Sequence, residues 1–249
     1  MDFDTGRRPE DSQGAPRSSR TGSGGGFGGA PPRATSGVSG GDFDYRNLVP
    51  SFVETARGVV TQPVGFFRSL PRQGDLVSPL AFALICVEIT VLIAGFVGVI
   101  VNVVSGTQGI LGSLGSFVLL LVLIPLIAAV SLFISAGIYH LLVALIIKPA
   151  QSGFAATLRV IAYPTVVFLA VIVTTIIALI PFIGPILSLL LSLVTGLFSL
   201  YLYVIGMREM HATSTGRAVV VVIIPPIVGG ILGLIFGVIL AAIIASMLN

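Results

Sequence analysis

Two residues of this 249-residue chain carry chemistry where hydrocarbon should not tolerate it: Glu88 and His140, each inside a long apolar run. A carboxylate at the centre of a membrane helix costs roughly 3 kcal/mol on insertion scales, so Glu88 must find a partner or shed its charge. Glu88 lies ten residues after Ser78, and His140 eight residues before Lys148. At the rise of an α-helix these spacings are about 15 Å and about 12 Å, which puts both groups at similar depth from one side. That predicts a hydrogen bond between Glu88 and His140. Such a pair could form a proton-linked site in a small transporter or channel, or act as polar glue between two helices; glue is the favoured reading.

The second concentration of chemistry is LYLYVIGMREMHATSTGR, residues 200–217, where an apolar helix runs into Arg208, Glu209, His211 and Arg217. Arg159 and Tyr163 fall at the same end of the neighbouring apolar run, with Tyr139, Tyr201 and Tyr203 close by. An aromatic belt with snorkelling arginines would account for this pattern. The sharper expectation is a cytoplasmic face of Arg159, Tyr163, Arg208, Glu209, His211 and Arg217 that engages an anionic lipid headgroup or a partner protein.

Known enzyme signatures are missing. There is no His-Glu-x-x-His, no Gly-x-Ser-x-Gly and no P-loop lysine motif, so neither catalysis nor a cofactor or metal is expected. Hydrophobic residues make up 55% of the chain and charged residues 9%, against about 25% charged in an ordinary soluble domain. Nine of the thirteen basic residues precede Ser78, so the net positive charge belongs to the N-terminal region and not to a nucleic-acid surface. The one cysteine, Cys86, excludes an intrachain disulfide. No cleavable signal peptide is expected at the N-terminus.

The elements that must position these residues follow from hydropathy. Residues 1–47 are rich in Gly, Ser, Pro and Arg and are expected to form a disordered tail. Asp-Phe-Asp occurs at Asp2 and again at Asp42, which reads as a docking motif or, the favoured reading, as chance recurrence in a biased segment. Residues 48–76 are expected to lie at the membrane surface: Phe52, Ala56, Val59 and Val60 form one helical face, Gln62-Pro63 breaks it, and Phe66, Phe67, Arg68 and Arg72 complete an interfacial anchor. Residues 77–249 hold five spans, at 77–104, 116–147, 160–180, 183–207 and 218–248. Pro125 predicts a kink or tilt in the second, IPFIGP a tight hairpin between the third and fourth, and Pro225-Pro226 with Gly229-Gly230 a kink or a break in the first half of the fifth. Gly229, Gly233, Gly237, Ala241 and Ala245 recur every four residues, a small face for close packing within the chain or, less commonly, in a homo-oligomer. Basic residues before the first span, and in the second and fourth links, predict a cytoplasmic N-terminus and a C-terminus on the opposite side of the cell membrane. The fold class is therefore all-α, an integral membrane bundle of five transmembrane helices.

In order along the chain, TQPVGFFRSL, SPLAFALI, GFAATLRVIAYPTVV and YLYVIGMREMHATSTGRAVV resemble the Yip (Ypt-interacting protein) family, in its prokaryotic type, from about Phe52 to the end. The resemblance implies five helices and a cytoplasmic N-terminus. It carries over Pro63, Phe66, Phe67, Arg159, Tyr163, Pro164, Arg208, Glu209, His211 and Arg217, none of them catalytic. Eukaryotic members bind Rab-type GTPases, and prokaryotic members largely lack an assigned activity. The function it implies is a membrane-organising or interaction scaffold, with membrane lipids or another membrane or cytoplasmic protein as partner.

Overall fold

Asp75 starts the membrane-spanning part of the chain. Its carboxylate accepts the N–H of Val77 at 2.8 Å, the N–H of Ser78 at 3.0 Å and the Ser78 hydroxyl at 2.7 Å, which satisfies donors that a helix start leaves unpaired. These bonds hold its carboxyl below the usual carboxylate range. The computed structural model describes residues 41–147 and 152–248, all within the compact unit Val38–Asn249. Most of the expected tail, with its first Asp-Phe-Asp, lies outside the described residues. Among the described residues there is no strand.

Five helices are long and apolar enough to cross a membrane: Val77–Val104, Ile110–Ile146, Phe154–Ala178, Gly184–Met210 and Thr215–Met247. The first has the expected bounds, and the others differ by a few residues. Two short helices precede them, α1 (Leu48–Thr61) and α2 (Pro63–Ser69), separated at Gln62, where Pro63 opens the second. The first two spans are α3 (Val77–Val104) and α4 (Ile110–Ile146). At 37 residues, α4 is about 55 Å long against a hydrocarbon core of about 30 Å, so it must tilt or extend past the hydrocarbon.

The third span is not one α-helix, a departure from expectation. It consists of α5 (Phe154–Ala162), a 3-10 segment (Tyr163–Leu169) and α6 (Ala170–Ala178). Pro164 removes a donor and disfavours α geometry at Tyr163, and from there the ladder tightens for two turns. The hairpin to α7 (Gly184–Met210) is as tight as IPFIGP suggests. Phe182 takes φ 64°, and a Cβ on Gly184 would run into the carbonyl oxygen of Ile177.

The fifth span, α8 (Thr215–Leu248), runs unbroken through Pro225 and Pro226, so of the expected kink or break the break is not found. In hydrocarbon an open backbone has no water to bond, so the helix persists and loses only the two missing donors. Pro125 likewise sits inside α4. In its most apolar stretch the third span is 44% buried and the fifth 0%. The third span is thus the centre of the bundle, and α8 lies at its edge.

A polar socket at one end of the bundle

The buried core gathers around Tyr163, at one end of the bundle. Its ring packs edge-on to Phe66 at 5.0 Å and against Phe82 at 5.3 Å. Phe66 and Phe67, 4% and 1% exposed, are part of this core. Of the expected interfacial anchor, Phe66, Phe67 and the half-buried Phe52 turn inward, whereas Arg68 and Arg72 are exposed. Phe67 seats against Gly206, where a Cβ would lie 3.1 Å from its ring and 3.1 Å from Val160. Val60, expected on the apolar face, is exposed.

Arg159 is fully buried at the heart of this end. Its Nε donates to both carboxylate oxygens of Asp42, at 2.8 and 3.0 Å, and its Nη2 also reaches Asp42. The same Nη2 donates to the Asp75 carbonyl at 2.9 Å, which ties the start of α3 to the site. The Tyr163 hydroxyl donates to Asp42 at 2.8 Å and accepts the Phe43 N–H at 3.1 Å. Phe43, 1% exposed, meets Phe82 at 5.6 Å. Asp42-Phe43 is thus a plug in a socket of Arg159, Tyr163 and Phe82. Two sequence readings are corrected by this. The stretch 41–47 belongs to the folded unit and not to the tail, and its Asp-Phe-Asp has a structural role. Nη1 of Arg159 is buried with no partner among the described residues.

Beside the socket, Thr157 stands between two histidines: its Oγ1 is 3.0 Å from His140 Nδ1 and 3.1 Å from His211 Nε2. The predicted Glu88 to His140 bond is not made. Depth along two helices fixes height but not facing, and His140 faces Thr157 and Phe154. Oε2 of Glu88 is buried without a hydrogen-bond partner. Burial, then the nearby His140 and Arg72, push the His211 ring down to about 4, so it is neutral at pH 7. Its Nδ1 is buried and unpartnered. A neutral ring leaves the smaller deficit with its proton on Nε2, so Nε2–H donates to Thr157 and the Thr157 hydroxyl donates to His140.

On the outer surface of this end, Glu209 accepts from Arg68 at 3.1 Å and from Arg208 at 2.7 and 2.9 Å. Arg72 and Arg217 are exposed. The expected lipid or partner face thus splits in two: Arg159, Tyr163 and His211 are interior, whereas Arg217 is exposed and Arg208 and Glu209 are half-buried. Among the described residues, Glu88 is the one charged side chain set apart from this end of the spans.

At the edge, the α8 face of Gly229, Gly233 and Gly237 has nothing within 4 Å of where a Cβ would stand. Ala241 and Ala245 are exposed too. The expected packing of this face within the chain is not found. In α3, a Cβ on Gly95 would touch Phe117 of α4, so that glycine does serve close packing.

A family model described as the Yip1 domain matches residues 57–247. No curated protein and no solved structure matches the chain.

Proposed function

The chain belongs to the Yip1 domain family of multi-pass membrane proteins, and from that premise we propose that it is a non-enzymatic scaffold of the prokaryotic type in the cell membrane. Its polar end faces the cytoplasm with the N-terminus, its C-terminus lies on the opposite side, and the accessible cations of that end engage anionic lipid headgroups or a partner protein. One observation carries this reading: apart from Glu88, the charged side chains of the described residues gather at one end, where Arg72 and Arg217 remain exposed beside the Arg68, Glu209 and Arg208 cluster. Anionic cytoplasmic leaflets attract such cations at about 1 kcal/mol each. Eukaryotic relatives bind GTPases, but nothing in these short links is specific for one.

The rival is a small proton-linked transporter or channel built on Glu88 and His140. Its motivating pair is not bonded, and His140 is engaged with Thr157, which weighs against a shared proton.

In-cell photo-cross-linking from Ser214 tests the scaffold reading, with captured lipids and proteins identified by mass spectrometry. A discrete lipid or protein, lost in an Arg72, Arg208 and Arg217 triple-alanine variant, is expected. Background capture alone, from correctly inserted protein, would overturn it. For orientation, an impermeant thiol reagent on intact cells should label a cysteine placed at Thr107 and spare one at Ser214; the reverse pattern would invert the topology.

A further inference from the structure

Between α3, α4, the third span and α7 lie two adjoining cavities at hydrocarbon depth. The outer one, about 390 Å³, is lined by side chains such as Val91, Ile124, Ile127 and Val171 and opens toward the bilayer. Its one hydroxyl, that of Thr90, is turned away and donates to the Cys86 carbonyl at 2.8 Å. The inner one, about 190 Å³, shares Val87, Ala128 and Phe168 with the outer and adds Ser131, Ser135, Thr165 and Tyr203. Thr165 is satisfied by the Ala162 carbonyl at 2.6 Å. The hydroxyls of Ser131, Ser135 and Tyr203 make no hydrogen bond among the described residues, unlike Thr174, Ser188 and Thr195, which bond back to their own helices.

Depth and charge select the ligand. Ser131 lies fifteen residues before the end of α4 at Ile146, about 22 Å along the helix, too deep for a phosphate or a free carboxylate. The inner cavity offers hydroxyls and no cation. An apolar cavity continuous with hydrocarbon accepts a chain, and three unpaired hydroxyls in such surroundings favour a group that can accept their protons. We propose that these cavities form a lateral binding site for an uncharged single-chain lipid, with its hydroxyl or carbonyl end among Ser131, Ser135 and Tyr203 and its chain in the outer cavity. The 3-10 segment opens the site, since its tighter winding sets Thr165 and Phe168 on the wall facing α4.

The test uses the full chain in nanodiscs of phosphatidylcholine, with three photoactivatable clickable probes of equal length: a fatty alcohol, an alkane and a phosphatidylcholine. The alcohol should label the stretches around Val87, Ala128 and Phe168 at least fivefold more than the other two. Ala128→Phe, which fills the shared wall, should abolish that excess. A Ser131→Ala, Ser135→Ala and Tyr203→Phe triple variant should bring the alcohol down to the alkane's level while leaving the alkane unchanged. Thermal unfolding of each variant checks that it is folded, and Ser135→Ala alone serves where the triple variant is not. Equal labelling by alcohol and alkane would show ordinary bilayer chains in the crevice and overturn the proposal. Labelling spread along the lipid-facing helices would do the same. Neither result bears on cross-linking from Ser214.

Discussion

Asp42 and Arg159 lie 117 positions apart in the chain, yet both carboxylate oxygens of the first rest on the guanidinium of the second. The arginine side chain is 0% exposed and the aspartate 15%. Breaking a buried pair from one side leaves the other charge uncompensated, a loss of about 3–5 kcal/mol, whereas replacing both with apolar groups is often neutral.

Removal of residues 1–43 should therefore lower thermal stability below that of a chain lacking only residues 1–40, by at least as much as Asp42→Ala does in the full chain. The Asp42→Ala, Arg159→Met double variant should recover much of the loss. Thermal unfolding in detergent, run as a double-mutant cycle, reads all four. An additive cycle would mean that the pair contributes nothing as a unit.

This pair also marks where sequence reading stopped. Apolar runs give spans directly, because hydrocarbon imposes length and composition, and 77–104 was legible to the residue. The edge of the tail was set by composition, which cannot register that Phe43 is buried at 1% or that its neighbour closes on Arg159. The repeated Asp-Phe-Asp was the available signal, and a charged-aromatic pair next to an unpaired membrane arginine is the chemistry that could have given it weight. Glu88 and His140 were matched by depth alone, and the helical angle between them was free. Pro225-Pro226 leaves a kink and a break both open in the sequence, and the break is excluded because an open backbone in hydrocarbon is costlier than two missing donors.

His211 gives the fold a pH dependence. Its ring takes up a proton near 6.5 when the chain is unfolded and only near 4 in the folded protein. Between those values unfolding is coupled to proton uptake, so stability falls as pH falls from about 7 toward about 4. The full span corresponds to about 3 kcal/mol. His211→Gln, which retains a donor for Thr157, should flatten this part of the profile. Melting temperatures at pH 7, 6 and 5 for both proteins are the measurement, and parallel profiles would exclude His211 as the source.

Gly206 is where α2 meets α7. A methyl there stands 3.1 Å from both the Phe67 ring and Val160, and neither a buried ring nor a β-branched side chain can swing away. Gly206→Ala should cost about 1–3 kcal/mol, as overpacking does. A second change, Phe67→Leu, should recover part of that loss by thinning the ring. Two independent, additive losses would show that the ring does not seat on this glycine.

The bare face of α8 supports the last prediction. A Cβ at Gly229, Gly233 or Gly237 would meet no neighbouring atom within 4 Å, and such a face lets two helix backbones approach closely. Lipid can cover it, but a flexible lipid chain gains nothing from the four-residue repeat, whereas a second copy of α8 does. A homo-oligomer through this helix is therefore expected, with Gly233→Ile and Gly237→Ile each lowering its population severalfold. Because the face touches nothing within the chain, these substitutions should leave the stability of the monomer within about 0.5 kcal/mol of the parent's, as distant surface changes do. Single-molecule photobleaching counts in sparse nanodiscs separate the two outcomes. A monomer in both proteins assigns the face to lipid, and a dimer lost only in the variants assigns it to a second copy.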